Sequence, residues 1–356
     1  MKKKGPSVTA LPTGSATFSA GVTNTNTDVS SDVLRSMLSF VLRVALLAIL
    51  ALVYFIGASL LVGLGQRPLG SLPPADQGAT LAPLLSFCFL ISCVFSYFVL
   101  RSRWTGWRLI ASLAAAFFGV GFVLSQSEAL VFLTTQMPSE QLWRVVLMGA
   151  ILAGLFAPTA VAVLGKLRGV KNVASDRRAV PAAREWAWKL SAIAFAYLVL
   201  YFAFGYYVAW KNPAVRAYYH GIDPGSFALQ IRSVWVTEPW LFPFQVFRSL
   251  LWVVFSLPLI RMLKGGRIET ALAIGVFFAV WSSMLLVPNP FMPADVAQAH
   301  LAETLWSNLI FGIIVGGLLS REQRQKSLPG LHRVPMNGVR TIDGKSGSSM
   351  GARKAR

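Results

Sequence analysis

The sequence predicts an all-α, polytopic transmembrane bundle of about eight membrane-spanning helices with both termini in the cytoplasm. Three observations predict it. Eight separate apolar stretches are each about as long as a bilayer is thick. Charged residues make up only 13% of the chain, against roughly a quarter in a soluble domain. The loops between the stretches alternate between rich and poor in Lys and Arg, as the positive-inside rule requires.

The elements follow in order. Residues 1–36 are rich in Ser, Thr, Gly and Asn, too poor in apolar surface to offset the entropy of ordering, so they are expected to form a disordered cytoplasmic tail. Lys2 to Lys4 are not the start of a signal peptide, because the first apolar run begins some forty residues later. The membrane domain is expected over 37–319, with spans at about 44–64, 81–100, 109–127, 145–165, 190–210, 241–260, 270–287 and 300–319. Residues 320–356 carry nine basic residues and are expected to be a disordered cytoplasmic tail that adsorbs to anionic lipid.

With the N-terminus inside, the inner segments hold 26 of the 33 Lys and Arg residues and the outer loops hold four, Arg67, Lys211, Arg216 and Arg232. The net charge of +19 therefore reads as topology, with no nucleic-acid partner implied. The expected partners are the lipid bilayer and, for the basic loops and C-tail, anionic lipid headgroups. Trp104, Trp107, Trp186, Trp188, Trp210 and Trp240 stand at span edges, where an indole fits headgroup depth. Spans two and three, and again six and seven, are joined by short basic turns. This loose correspondence raises a four-plus-four repeat, but no convincing residue-level match between the halves carries it.

One polar constellation stands out. On the eighth span His300, Glu303, Thr304, Ser307 and Asn308 recur at helical spacing, and Gly312 and Gly316 continue the same face with a small-xxx-small step suited to close helix packing. On the sixth span Gln245, Arg248, Ser249, Trp252 and Ser256 share a face. Arg248 lies about 10 Å below the outer edge of its span and Glu303 about 5 Å below its own, at 1.5 Å per residue. An unpaired Arg at mid-membrane costs about 2.5–3.5 kcal/mol. Glu303, read as the sole acid within the spans, is its expected partner. The alternatives are that Arg248 snorkels outward or that the pair merely fixes helix register.

No catalytic residue, cofactor or metal site is expected. Cys88 and Cys93 share one span at a spacing that points them apart. His220 and His300 lack a paired ligand motif, and CAAX-type protease glutamate pairs are missing. The leading functional reading is a carrier or binder of a small, anionic or amphipathic solute through an outer-leaflet polar site made of Arg248, Glu303, His300, Asn308, Gln245 and Ser307. The second is a structural or regulatory membrane subunit, and the third an intramembrane enzyme. The expected location is a plasma membrane, that of a bacterial inner membrane. The long outer loop, residues 211–240, is expected either to lie on the membrane surface or to fold over the site.

Overall fold

Long uncharged runs without water force the backbone to satisfy its own hydrogen bonds, and helices are the way a single segment does so. The computed structural model describes residues 25–63, 74–133, 138–168, 182–288 and 292–320. Among these, eight helical segments are long and apolar enough to cross a membrane: Asp32–Leu61, Thr80–Arg101, Gly106–Phe132, Ser139–Val163, Ala183–Trp210, Leu241–Met262, Arg267–Leu286 and Ala294–Leu319, here called spans 1 to 8. The chain is a multi-pass membrane protein. Two short helices lie between spans 5 and 6, α7 (Pro213–Tyr218) and α8 (Phe227–Thr237).

Several ends differ from the sequence reading. The first helix begins at Thr25, so residues 25–36, expected in the disordered tail, are helical. The C-tail 320–356 lies outside the described residues apart from Ser320. Span 3 runs on to Phe132 rather than stopping near Ser127, because the polar run Ser125, Gln126, Ser127, Glu128 lowers hydropathy without breaking the helix. Span 8 begins at Ala294, six residues early, directly after Pro293. Proline preceding the first helical turn is well placed, since no intrahelical N–H is lost there.

The bundle core is aromatic. Phe95 of span 2 is fully buried, and its ring meets Phe117 of span 3, Phe156 of span 4 and Phe277 of span 7 edge-on at 5.5, 5.5 and 5.8 Å. These are the offset geometries that ring quadrupoles favour. Spans 7 and 8 make the closest helix pair, because Gly312 and Gly316 bring bare backbone against Ile274, Gly275, Thr270 and Ala271. A Cβ on Gly312 would lie 2.6 Å from the Ile274 carbonyl oxygen.

On the side with short turns, the 2–3 and 6–7 connections pair with each other. Ser102 and Leu263 form an antiparallel bridge, with Arg103 N–H donating to Met262 O at 2.8 Å and Lys264 N–H to Arg101 O at 3.0 Å. Lys166 reaches in from the end of span 4 to donate to Ser102 O at 2.9 Å. Burial, and then the nearby Lys264 charge, hold its ammonium below the ordinary lysine value. Arg101 closes this end by gripping Glu269 with two bonds at 2.6 and 2.8 Å.

Two spans depart from α-geometry in their second halves. Gly119–Val123 in span 3 and Gly205–Trp210 in span 5 are π-helical, a local widening that recurs at functional sites. Span 7 ends in a 3-10 segment, Trp281–Leu286.

Candidate functional site

The site is built from four spans. Span 6 turns Gln245, Arg248, Ser249, Trp252 and Ser256 to the interior at i, i+3, i+4 spacing, and all five are buried. Arg248 is the buried charge among them, its side chain 5% exposed. It is held from two sides: Nη2 donates to Glu128 Oε2 at 2.9 Å and Nη1 to Gln245 Oε1 at 3.0 Å. Glu128 sits on the last turns of span 3, beyond the π-helical segment, and its side chain is 39% exposed. The cation is thus buried while its counter-ion reaches the bundle surface.

This corrects the expected pairing of Arg248 with Glu303. The structure gives Arg248 a different carboxylate, and gives Glu303 a different partner. Glu303 Oε2 lies 2.7 Å from His300 Nδ1, one turn earlier on span 8. The His300 Nε2 atom is 3.2 Å from the Tyr219 hydroxyl, and the two rings meet edge-on at 5.8 Å. Glu303 faces Gly205, where a Cβ would come within 3.6 Å of Oε1. The second cluster therefore abuts the other π-helical segment. Glu128 was missed because the apolar run was taken to end one residue before it, which left Glu303 as the sole acid in view.

The two clusters are neighbours. Tyr197 and Tyr201 of span 5 lie within Coulombic reach of Glu128, Arg248 and Glu303. Of the remaining expected site residues, Gln245 is in direct contact with Arg248, while Ser307 makes only a long 3.5 Å bond to the Thr304 carbonyl of its own helix. Asn308 is half-buried on the same stripe. His220 does not join His300: it is exposed, at a positive φ of 55°, and its neighbour Tyr219 makes the contact instead. Among the described residues no group of three His, Cys, Asp or Glu side chains is placed to hold a metal ion.

The loop between spans 5 and 6 covers this end of the bundle. Asn212 caps α7 by accepting from Ala214 N–H at 2.9 Å, and Ser226 caps α8 through Leu229 N–H at 3.3 Å. Phe227 stacks on Tyr207 at 5.6 Å and Trp235 meets Phe242 at 5.1 Å, edge-on. These contacts tie α8 to the ends of spans 5 and 6. Leu229, Trp235 and Val236 nonetheless remain largely exposed. Loop packing and surface exposure are thus combined in one helix.

A separate apolar cavity lies between spans 1 to 4, lined by Tyr54, Phe55, Cys88, Phe122, Leu152 and Phe156 among others. No expected site residue lines it. Comparison of the chain with protein-family models, curated proteins and solved structures gives no match, so the functional reading rests on the geometry.

Proposed function

We propose that the protein binds, and carries across the membrane, a small anionic or amphipathic solute at the polar site between spans 3, 5, 6 and 8. The observation that supports this reading is the buried Arg248 whose partner Glu128 is two-fifths exposed. Burying a guanidinium in a membrane interior costs several kcal/mol, of order 2.5–3.5 on the lenient scale, and the cost is retained where the charge has a task. A solute carboxylate or phosphate would compete with Glu128 for Arg248. The displaced Glu128 would be left at the bundle surface, where its side chain is already partly exposed. His300 and Glu303, contacted by Tyr219, form a second polar pair beside the first.

The Lys and Arg distribution supports a plasma-membrane topology with both termini cytoplasmic and this site toward the outer leaflet. The competing reading, a structural subunit held by helix-locking polar contacts, is favoured by Arg248 bridging span 6 to span 3 through both Glu128 and, at 3.4 Å, the Leu124 carbonyl.

Solvent access separates the two. In a background with Cys88 and Cys93 replaced by Ser, single cysteines at Gln126 and Ser307 should react with membrane-impermeant methanethiosulfonates added outside intact cells. Absence of reaction at both positions, from either side of the membrane, would refute the carrier reading.

A further inference from the structure

We propose that the chain is a tandem duplication of one four-span module, spans 1–4 and spans 5–8, and that polar groups present at interior positions of the second copy but not of the first form, together with Glu128 of span 3, a binding site for an oxygen-bearing anionic group. This deepens the solute-binding reading above and rests on it for the ligand.

The helix packing repeats. Span 1 packs on spans 2 and 4, and span 5 on spans 6 and 8; span 3 packs on span 4, and span 7 on span 8. Between modules, span 3 meets span 6 as span 7 meets span 2. The antiparallel pairing of Arg101–Arg103 with Met262–Lys264 joins the two equivalent turns to each other. Antiparallel pairing is what a two-fold axis produces when it passes between two copies of one segment. Four spans separate equivalent helices, so the modules share one orientation and the axis runs along the membrane normal.

With the spans so paired, a residue-level match emerges that the loose correspondence of turns did not show. Thirteen of the forty positions from 81 to 120 carry the same residue as the position 160 further on, without a gap. Leu81 matches Leu241, Pro83 Pro243, Ser96 Ser256, Arg101 Arg261, Phe117 Phe277. Phe95, at the centre of the aromatic core, matches Phe255. With short shifts in the loops, Tyr54 matches Tyr201 and Phe156 matches Phe311.

The duplication supplies an internal control for the polar site. At the 160-residue spacing Arg248 corresponds to Cys88 and Gln245 to Leu85; with Phe156 set against Phe311, Glu303 falls at Met148 and His300 at Val145. Cys88 lines the apolar cavity of the first module, so the same interior position is apolar in one copy and charged in the other. The first copy builds its four spans without counterparts of Arg248, Gln245, Glu303 and His300, and contributes Glu128 to Arg248 across the module boundary. Their chemistry points to a ligand: Gln245 Nε2 and Arg248 Nε are buried without a hydrogen-bond partner, and buried donors in native proteins are matched by acceptors. Both are donors only at these atoms, which suits carboxylate or phosphate oxygens.

Two double variants test the structural claim in the full-length protein. Arg248→Met with Glu128→Leu removes the ion pair as a unit at similar volume, and His300→Val with Glu303→Met installs the first module's residues. Each should remain monodisperse in detergent with Tm within about 4 °C of the native protein, roughly the shift expected for 1 kcal/mol. Aggregation of either, or a Tm loss beyond about 10 °C, overturns the proposal. The ligand claim is tested on the Gln126 cysteine protein after delipidation. Slower labelling in butyrate marks a free carboxylate solute, and slower labelling only with added phosphatidylglycerol marks a lipid headgroup. Protection by neither overturns the assigned chemistry. A site closed to the reagent in cells defeats the carrier reading and leaves the duplication to be judged on the two stability measurements.

Discussion

At the residue scale, Arg248 chooses between two carboxylates, and a single turn of helix decides the choice. The sequence places Arg248 and Glu303 on inward faces, yet hydropathy ends span 3 one residue before Glu128, the carboxylate that binds Arg248 at 2.9 Å. Breaking the pair by Glu128→Gln should cost about 3 kcal/mol, the lower end for a buried pair, because Glu128 is partly exposed and screened. Arg248→Met should cost less, since Glu128 left alone can protonate, whereas a guanidinium cannot lose its charge. The double-mutant coupling energy for Arg248 with Glu128 should exceed that for Arg248 with Glu303, measured as thermal stability in detergent. A larger coupling to Glu303 would restore the pairing that the sequence alone suggested.

At the element scale, the irregular segments and the loop between spans 5 and 6 shape the site. The two π-helical stretches precede Glu128 and face Glu303, so each charged cluster sits against a widened turn that periodicity could not reveal. Strict 3.6-residue spacing describes a face only while the helix stays α. The loop between spans 5 and 6 was legible as an apolar-polar mixture, but its pairing of Tyr219 with His300 was not, because it depends on how α7 folds back. Asp223 orders the turn after α7. The Gly225 N–H, at 2.9 Å from its Oδ1, holds its carboxyl below the ordinary Asp value; this outweighs the opposing desolvation, and the Lys211 and Arg216 charges add lesser contributions. A folded value lowered in this way stabilises the turn fully above the unfolded carboxyl range near ~3.9. That stabilisation is lost as pH falls through the lowered folded value, so nothing should change between pH 5 and 8. Proteolytic nicking of residues 219–226 should rise only in strong acid, tested with an acid-active protease, and Asp223→Asn should nick at a rate independent of pH. An equal acid response in the Asn variant would remove Asp223 from the account.

At the scale of the whole molecule, eight spans and their order follow from composition and the length of the apolar runs, because a bilayer penalises unpaired backbone and charge so heavily that hydropathy alone marks the crossings. The 26-to-4 distribution of basic residues predicts the orientation in the same way. A single cysteine at Ser226 should label in intact cells, while one at Ser175 should resist until the membrane is opened, and reversed labelling would invert the topology. What the sequence by itself determined was the class of protein, the eight crossings to within a few residues at most ends, the inward faces of spans 6 and 8, and the presence there of Arg248, Glu303 and His300. Only the tertiary structure decided which charges meet, that Glu128 is the partner of Arg248, and that Tyr219 contacts His300. Crossing a membrane is a property of each segment against its solvent, and so is written locally. Ion pairing depends on distances between segments far apart in sequence, which packing alone sets.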